Sequence, residues 1–410
     1  MSLSYWYLYL WSIVWWKMKR IEELDFARVI AMAAVITIHV TSTYIGYGSN
    51  ILVMGMNLAF ILNQLARFSV PLFILLSGAS LGLSASDDSF SGFLYKRFTK
   101  IGVPYLVWTA IYIIYKNPSA LGTISFRSLL KTVLLGQAAP HLYFVVIIFQ
   151  FYLLFPFLRR YINQAPYQSV LFSFAVSYWI QKLFYFRRLG TDLIPGILQP
   201  YLWLLFPTWI FYFVAGAVLS EHRLTLIRKF ASQNTVAILL VTLLFSGLYV
   251  MESHVTGSIE SIKTSLNLYV ILVLLSAFSA WNYLGKIHAS RIVVRTLSRH
   301  SMTIYFVHIL FLRTFREFSF FERGMSGMLF LFAAVFVCSL FAAILLDNTV
   351  LKIRETLQNL RWTHIDEMSL DLRLISTYHT ISRSSVRPRV ARELTAVSEI
   401  PTLLAISLSV

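Results

Sequence analysis

The sequence predicts an all-α protein, a polytopic integral membrane bundle of about ten spanning helices. Three observations carry that expectation. Apolar residues make up 58% of the 410-residue chain and charged residues only 13%, where a soluble chain would carry roughly 25% charged residues. Mean hydropathy is +0.69. The apolar residues collect in blocks of about sixteen or more, which as helices approach or exceed the length needed to cross roughly 30 Å of hydrocarbon. Backbone groups in lipid must find partners within their own segment, so these blocks are expected as helices and not as open strands.

Taken in order, the spans are expected near 26–44, 56–82, 101–116, 141–158, 169–186, 201–219, 235–251, 266–284, 302–315 and 326–346. Residues 1–21 read as an N-terminal cytoplasmic segment. Its opening MSLSYWYLYLWSIVWWK is aromatic and lacks the basic n-region and small-residue cleavage site of a signal peptide. Met18 opens a more ordinary start, so the residues before it are expected to precede the true initiation site. Residues 22–350 form the membrane domain. Residues 351–410 read as a cytoplasmic tail, polar and rich in Arg and Ser, of a composition that favours disorder; its final IPTLLAISLSV is too short to span. No internal repeat is visible.

Net charge is +17. The Lys and Arg residues fall in short clusters between apolar blocks, and no soluble basic face exists for nucleic acid to meet. Attraction to anionic headgroups and the positive-inside bias account for them. With the N-terminus inside, fifteen Lys and Arg fall in the inner loops and nine in the outer ones. That places both termini in the cytoplasm. The single cysteine, Cys338, lies in an apolar block and excludes an internal disulfide.

Ionisable residues inside spans are costly and mark functional paths by default. In the first span, Asp25 and Arg28 stand at the cytoplasmic end and His39 eleven residues further on. Eleven residues are about 16 Å and three turns, so Arg28 and His39 share a face at different depths. The second span carries Arg67, then Pro71 and the pair Ser77–Gly78. A buried guanidinium needs an anionic partner, Asp25 or a bound phosphate or carboxylate; Pro71 and Gly78 also read as packing residues. Arg97 and Lys100, three apart before the third span, can hold a phosphate group, although a positive-inside cluster explains them equally. His141 opens the fourth span and His308 lies deep in the ninth. Neutral imidazoles are cheaper to bury than carboxylates and still move protons near neutral pH; each can also be a hydrogen-bonded bundle residue. The histidines are scattered along the chain, which argues against a metal site. No G-x-S-x-G, Walker loop, H-E-x-x-H or dinucleotide fingerprint is present.

Together these residues resemble a family, the type 3 membrane acyltransferases, over about residues 22–346. LDFARVIAMAAVITIH is similar to its LD-x-x-R opening, with Arg28 and His39 on its Arg-x10-His pattern. RFSVPLFILLSGASL resembles R-x-x-x-P-x-F-x-x-SG at Arg67, Pro71, Phe73, Ser77 and Gly78. RFTK resembles Arg-x-x-Arg at Arg97 and Lys100, HLYF at His141 resembles H-L-W-F, and SRHSMTIYFVH resembles S-x-x-I-Y-x-x-H at Ser301, Ile304, Tyr305 and His308. Two departures stand out. Lys100 keeps the charge of the second Arg but loses its bidentate fork. Where many relatives carry a glutamate pair before FYLL, Ile148 and Phe149 stand, followed by Gln150.

The resemblance implies an O-acyltransferase in the bacterial plasma membrane, moving an acyl group, usually acetyl, from cytoplasmic acyl-CoA to a hydroxyl of an envelope or exopolysaccharide glycan or its lipid-linked precursor. Acyl-CoA enters as co-substrate; no resident cofactor or metal is implied, and the oligomeric state is left open. On that reading Arg97 and Lys100, with Arg67, bind the phosphates of CoA. His39 is general base or transient acyl carrier, Arg28 steadies the thioester end or the oxyanion, and Asp25 orients Arg28. His141, Tyr305 and His308 are substrate-facing or structural polar residues. The rival expectation is an exporter of polysaccharide or lipid-linked glycan, since intramembrane Arg and His suit transporters too; the absence of paired halves speaks against it. A structural scaffold would not bury these charges.

Overall fold

The computed structural model describes residues 20–45, 52–53, 56–84, 89–118, 124–188, 201–257, 260–318 and 324–384. The N-terminal segment with its proposed restart at Met18, and the tail beyond Ser384, lie outside the described residues. The chain divides into two units, Met1–Ile344 and Leu345–Val410.

The first unit is an α-helical bundle. Its helices are α1 (Glu22–Thr41), α2 (Leu58–Leu65), α3 (Ser69–Gly82), α4 (Phe90–Arg97), α5 (Val103–Lys116), α6 (Phe126–Leu135), α7 (Tyr143–Gln164), α8 (Pro166–Arg188), α9 (Ile210–Ala217), α10 (Glu221–Gln233), α11 (Thr235–Thr256), α12 (Thr264–Leu284) and α13 (His288–Phe315). The last helix, α14, spans Met325–Ser384. The only strands among the described residues are two-residue stubs before α2, Leu52–Val53 paired antiparallel with Met56–Asn57. Residues 351–384, part of the tail whose composition favours disorder, are helical.

Among the described residues, seven helices are long and apolar enough to cross a membrane, and eight if the pair Ile210–Ala217 and His222–Gln233, bent by 100°, counts as one. The protein is a multi-pass membrane protein, with fewer such helices than the ten expected. The shortfall has physical causes. The helices α8 and α13 are 23 and 28 residues long, but α13 opens with His288, Arg291, Arg295, Arg299 and His300, and α8 carries Gln168, Gln181 and Lys182. The expected span 201–219 is broken around Pro207 into two 3-10 turns, Leu202–Leu204 and Phe206–Thr208, followed by the short α9. The Gln150 side chain holds that broken stretch: it accepts from Phe206 N and donates to Leu204 O, both at 2.9 Å.

Charge fixes one end of α1. The helix has no side-chain N-cap, but its first turn holds Glu22, Glu23 and Asp25, which complement the positive helix end. Each carboxylate is paired: Glu22 with Arg295 at 2.6 Å, Glu23 with Arg228 at 2.6 Å and Asp25 with Arg28 at 2.6 Å. The second span is a broken helix, α2 and α3 joined by a 3-10 turn at Ala66–Phe68. That break puts Pro71 in the first turn of α3, where a missing N–H breaks no helical bond.

The tightest helix crossing is that of α3 and α9. A Cβ on Gly78 would lie 2.1 Å from Phe213 O, one on Gly82 2.1 Å from Ala217 O, and one on Gly216 1.9 Å from Leu75 O. Backbones that close require glycine, as at small-residue crossings in other membrane bundles. Phe213 of α9 in turn stacks on Phe151 of α7 with centroids 4.4 Å apart.

Candidate active site

The functional side chains fall at two levels of the bundle. The first lies at the Glu22 end of α1. Asp25 is buried, and its Oδ1 accepts from Arg28 Nη1 at 2.6 Å and from Ser298 Oγ at 2.6 Å. Arg28 Nη1 also donates to Ser298 Oγ at 3.0 Å. Asp25 Oδ2 is buried without a partner. Arg97 and Arg28 are the charged groups acting on Lys100, so Lys100 and these two arginines lie within electrostatic reach of one another. Arg97 and Lys100 are separated by the start of a π-turn, Phe98–Gly102, a distortion that tends to accompany functional sites. The Arg97 guanidinium lies over the Phe93 and Tyr152 rings, 5.3 and 5.7 Å from their centroids, and its Nε is buried without a partner.

The second level holds the histidines. Scattered in sequence, they meet in space. His39 from α1, His141 just before α7 and His308 from α13 have ring centroids 4.9 Å (His141–His308), 5.3 Å (His39–His308) and 6.3 Å (His39–His141) apart. His308 Nδ1 lies 2.7 Å from the Tyr305 carbonyl oxygen. A carbonyl only accepts, so Nδ1 carries the proton of the neutral ring and Nε2 presents its lone pair. That Nε2 is buried without a partner, as are both ring nitrogens of His141. Tyr305 donates its hydroxyl proton to the His141 carbonyl, and Tyr112 donates to Phe306 O at 2.6 Å. Both bonds go to backbone carbonyls, one of His141 itself and one two residues before His308. Among the described residues, no group of three or more His, Cys, Asp or Glu could hold a metal ion.

The two levels are joined by parallel helices. Arg28 meets Ser298 and His39 meets His308, so α1 and α13 run side by side in the same direction. Lys100 lies within electrostatic reach of Arg28, and Tyr112, twelve residues on, reaches His141, with ring centroids 5.4 Å apart. The α4–α5 segment therefore runs the same way. Ten to twelve helical residues separate the levels, about 15–18 Å.

Arg67, expected beside Arg97 and Lys100, has other company. Its Nε and Nη2 donate to Asn63 Oδ1 at 3.0 and 2.6 Å. Asn63 Nδ2 donates to Ile38 O, Thr41 Oγ1 and Ser42 Oγ at 3.0–3.1 Å, the residues flanking His39. Arg67 acts electrostatically on His39.

A family profile described as "Acyltransferase domain" matches residues 21–347, a stretch containing every residue of both levels. The chain is a type 3 acyltransferase. Over 309 residues it is 26% identical to the "Putative membrane-bound acyltransferase YfiQ" of Bacillus subtilis (strain 168), covering 72% of this chain and 81% of that one. No solved structure matches.

Some residues of this type 3 acyltransferase escaped the sequence reading. Ser298 bridges Asp25 and Arg28, and it was legible: Ser298, Ser301, Tyr305 and His308 follow the i, i+3, i+4 spacing of one helical face. Asn63 gave no such signal, because its partners are backbone and hydroxyl groups of another helix. Ile148, one of the two positions where the family resemblance led a glutamate to be expected, is buried in the apolar core.

Proposed function

We propose that this membrane acyltransferase moves an acyl group, acetyl in the first instance, from cytoplasmic acyl-CoA to a hydroxyl of an envelope or exopolysaccharide glycan or its lipid-linked precursor. The observation that carries the reading is the pairing of a cation cluster with a histidine cluster across about 15–18 Å of parallel helices, a separation on the scale of an extended phosphopantetheine arm. Arg28, expected at the thioester end or the oxyanion, lies with Ser298 at the level away from His39, and on this reading it joins Arg97 and Lys100 in holding the CoA phosphates at the Glu22 end. Asp25 and Ser298 orient Arg28, and the acyl thioester extends to His39.

His39 takes the proton of the acceptor hydroxyl as its oxygen attacks the thioester carbonyl. The tetrahedral intermediate collapses with cleavage of the C–S bond, the ester stays on the glycan, and the departing thiolate takes a proton from the imidazolium. The His308 Nε2 lone pair, without a partner in the neutral site and on a ring whose centroid is 5.3 Å from that of His39, accepts a hydrogen bond from the imidazolium as it forms and stabilises its charge. On this reading the Glu22 end faces the cytoplasm, both termini are cytoplasmic, and the protein resides in a bacterial plasma membrane.

The test is acyl-CoA turnover by the purified full-length protein in nanodiscs, wild type beside His39→Ala and Arg97→Ala. Acyl-CoA-dependent transfer or CoA release, lost in His39→Ala and shifted to higher acyl-CoA concentration in Arg97→Ala, supports the assignment. A His39→Ala variant that inserts and turns over like the wild type refutes the base. Absence of acyl-CoA binding and of turnover across a range of glycans returns the weight to export.

A further inference from the structure

Arg67 lies at the break of the second span, yet its two bonds go to a neutral amide oxygen, and no carboxylate among the described residues lies within ion-pair distance of it. A half-buried guanidinium held only by an amide keeps much of its charge uncompensated, and an arriving anion would complete it. The groups acting on it are the Tyr249 and Tyr143 hydroxyls and, more weakly, Glu260. Tyr249 is 1% exposed and its hydroxyl is buried without a partner. Tyr249 stacks on Tyr269, whose hydroxyl donates to Leu65 O at 2.9 Å, two residues before Arg67, so the orphaned O–H donor stands beside the segment that carries the cation, with the Lys263 ammonium 4.7 Å from the Tyr249 ring centroid.

Their place decides which substrate they serve. The brace of Arg67, Asn63, bonds the residues on either side of His39, whereas Arg28, Arg97 and Lys100 lie at the opposite end of α1. Tyr143, two residues past His141, is within electrostatic reach of both Arg67 and Tyr305. A donor whose phosphates are held at the Glu22 end reaches its acyl carbon at His39. What lies past that carbon is the acceptor.

We propose that Arg67, braced by Asn63 and accompanied by the Tyr249 hydroxyl, binds an anionic group of the acceptor glycan, a carboxylate or a phosphate. The inference rests on the acyltransferase reading and makes the acceptor an acidic sugar or a phosphate-bearing glycan. An aspartate at position 63 would satisfy the guanidinium internally, whereas the amide leaves its charge for a ligand.

The experiment uses the full-length protein in nanodiscs with three matched probes: methyl glucoside, methyl glucuronide and methyl glucosyl phosphate. Transfer from labelled acetyl-CoA and the thermal shift caused by each probe are both read. The expected result is a preference of about tenfold to a hundredfold for one anionic probe over the neutral one, the worth of a charge-assisted contact; which anion is preferred separates a uronate from a phosphate. Arg67→Gln and, independently, Asn63→Asp remove that preference while leaving the acyl-CoA KM unchanged. Equal response of the wild type to all three probes overturns the proposal. So does an Arg67→Gln variant that raises the acyl-CoA KM or weakens neutral and anionic acceptors alike. If Arg67→Gln fails to fold, Asn63→Asp and the wild-type preference decide. Failure of the acyltransferase reading shows separately, as an anion-dependent thermal shift without transfer to any probe.

Discussion

Replacing Ser298 by alanine tests the link between the hydrogen-bond geometry and the donor site. The Ser298 hydroxyl donates to Asp25 Oδ1 at 2.6 Å and accepts from Arg28 Nη1 at 3.0 Å. Both partners are charged, and each such bond is worth about 1.5–3 kcal/mol where water cannot replace it. The direct Arg28–Asp25 contact at 2.6 Å survives the substitution, and Arg28 is half-buried, so water restores part of the loss. The net effect is about 1.5–3 kcal/mol in total, or roughly tenfold to a hundredfold. It falls on Arg28, which then swings between Asp25 and solvent. The acyl-CoA KM is expected to rise by that factor while kcat at saturation stays near wild type, because His39 and its neighbours lie three turns away. Steady-state CoA release across an acyl-CoA series measures both constants, and Ser298→Thr, which keeps the hydroxyl, should recover much of the loss. A fall in kcat with KM unchanged would refute the reasoning, since Arg28 would then be acting at the reacting carbon.

Other outcomes follow from the same contacts. His308→Gln offers an amide donor toward the Tyr305 carbonyl but has no ring lone pair, so kcat should drop about a hundredfold or more with the acyl-CoA KM unchanged, as rapid-quench turnover would show. Tyr305→Phe removes the bond to the His141 carbonyl and should cost about 1 kcal/mol of stability, read by thermal unfolding in detergent, with a smaller loss of rate than His308→Gln. Gly216→Leu places carbon within the backbone of α3 and should abolish accumulation of folded protein, scored by size-exclusion profile. Glu23→Gln loses a two-point contact with Arg228 at 2.6 and 2.9 Å; because Arg228 is partly exposed, the cost should be about 1 kcal/mol or less and should shrink as salt is raised.

Much of the architecture was legible because a helix converts spacing into depth. The eleven residues from Arg28 to His39 announced two levels on one face, and the structure places Arg28 with Ser298 and His39 with His308. Proline and glycine were legible as breaks and crossings: Pro71 marks the 3-10 turn, and Gly78 a backbone contact. The pairings between helices were not. Asp25 and Ser298 are 273 residues apart, and no local pattern tells one helix which partner faces it. For the same reason three histidines far apart in sequence gave no sign that they meet. Hydropathy also misled at residues 201–219, where an apolar run is not a single helix. Pro207 breaks it, and the freed backbone groups are satisfied by Gln150, a residue of another helix. The surroundings of Arg67 were not legible: its charge called for an anionic partner and the family resemblance grouped it with Arg97 and Lys100, while the structure gives it the uncharged Asn63.

The glycine crossing of α3 and α9 also bears on how this bundle can move. At Gly78, Gly82 and Gly216 the two backbones touch with no side chain between them, so neither helix can slide or rotate without driving carbonyl oxygens into main-chain atoms. The pair behaves as a weld, and Phe213 extends it to α7 through the stacked Phe151 ring. A rocking cycle that opened the bundle alternately to each side would have to pivot around this joint and carry α3, α9 and α7 as one body. Transfer chemistry asks for much less: a fixed frame, with substrates arriving from either end.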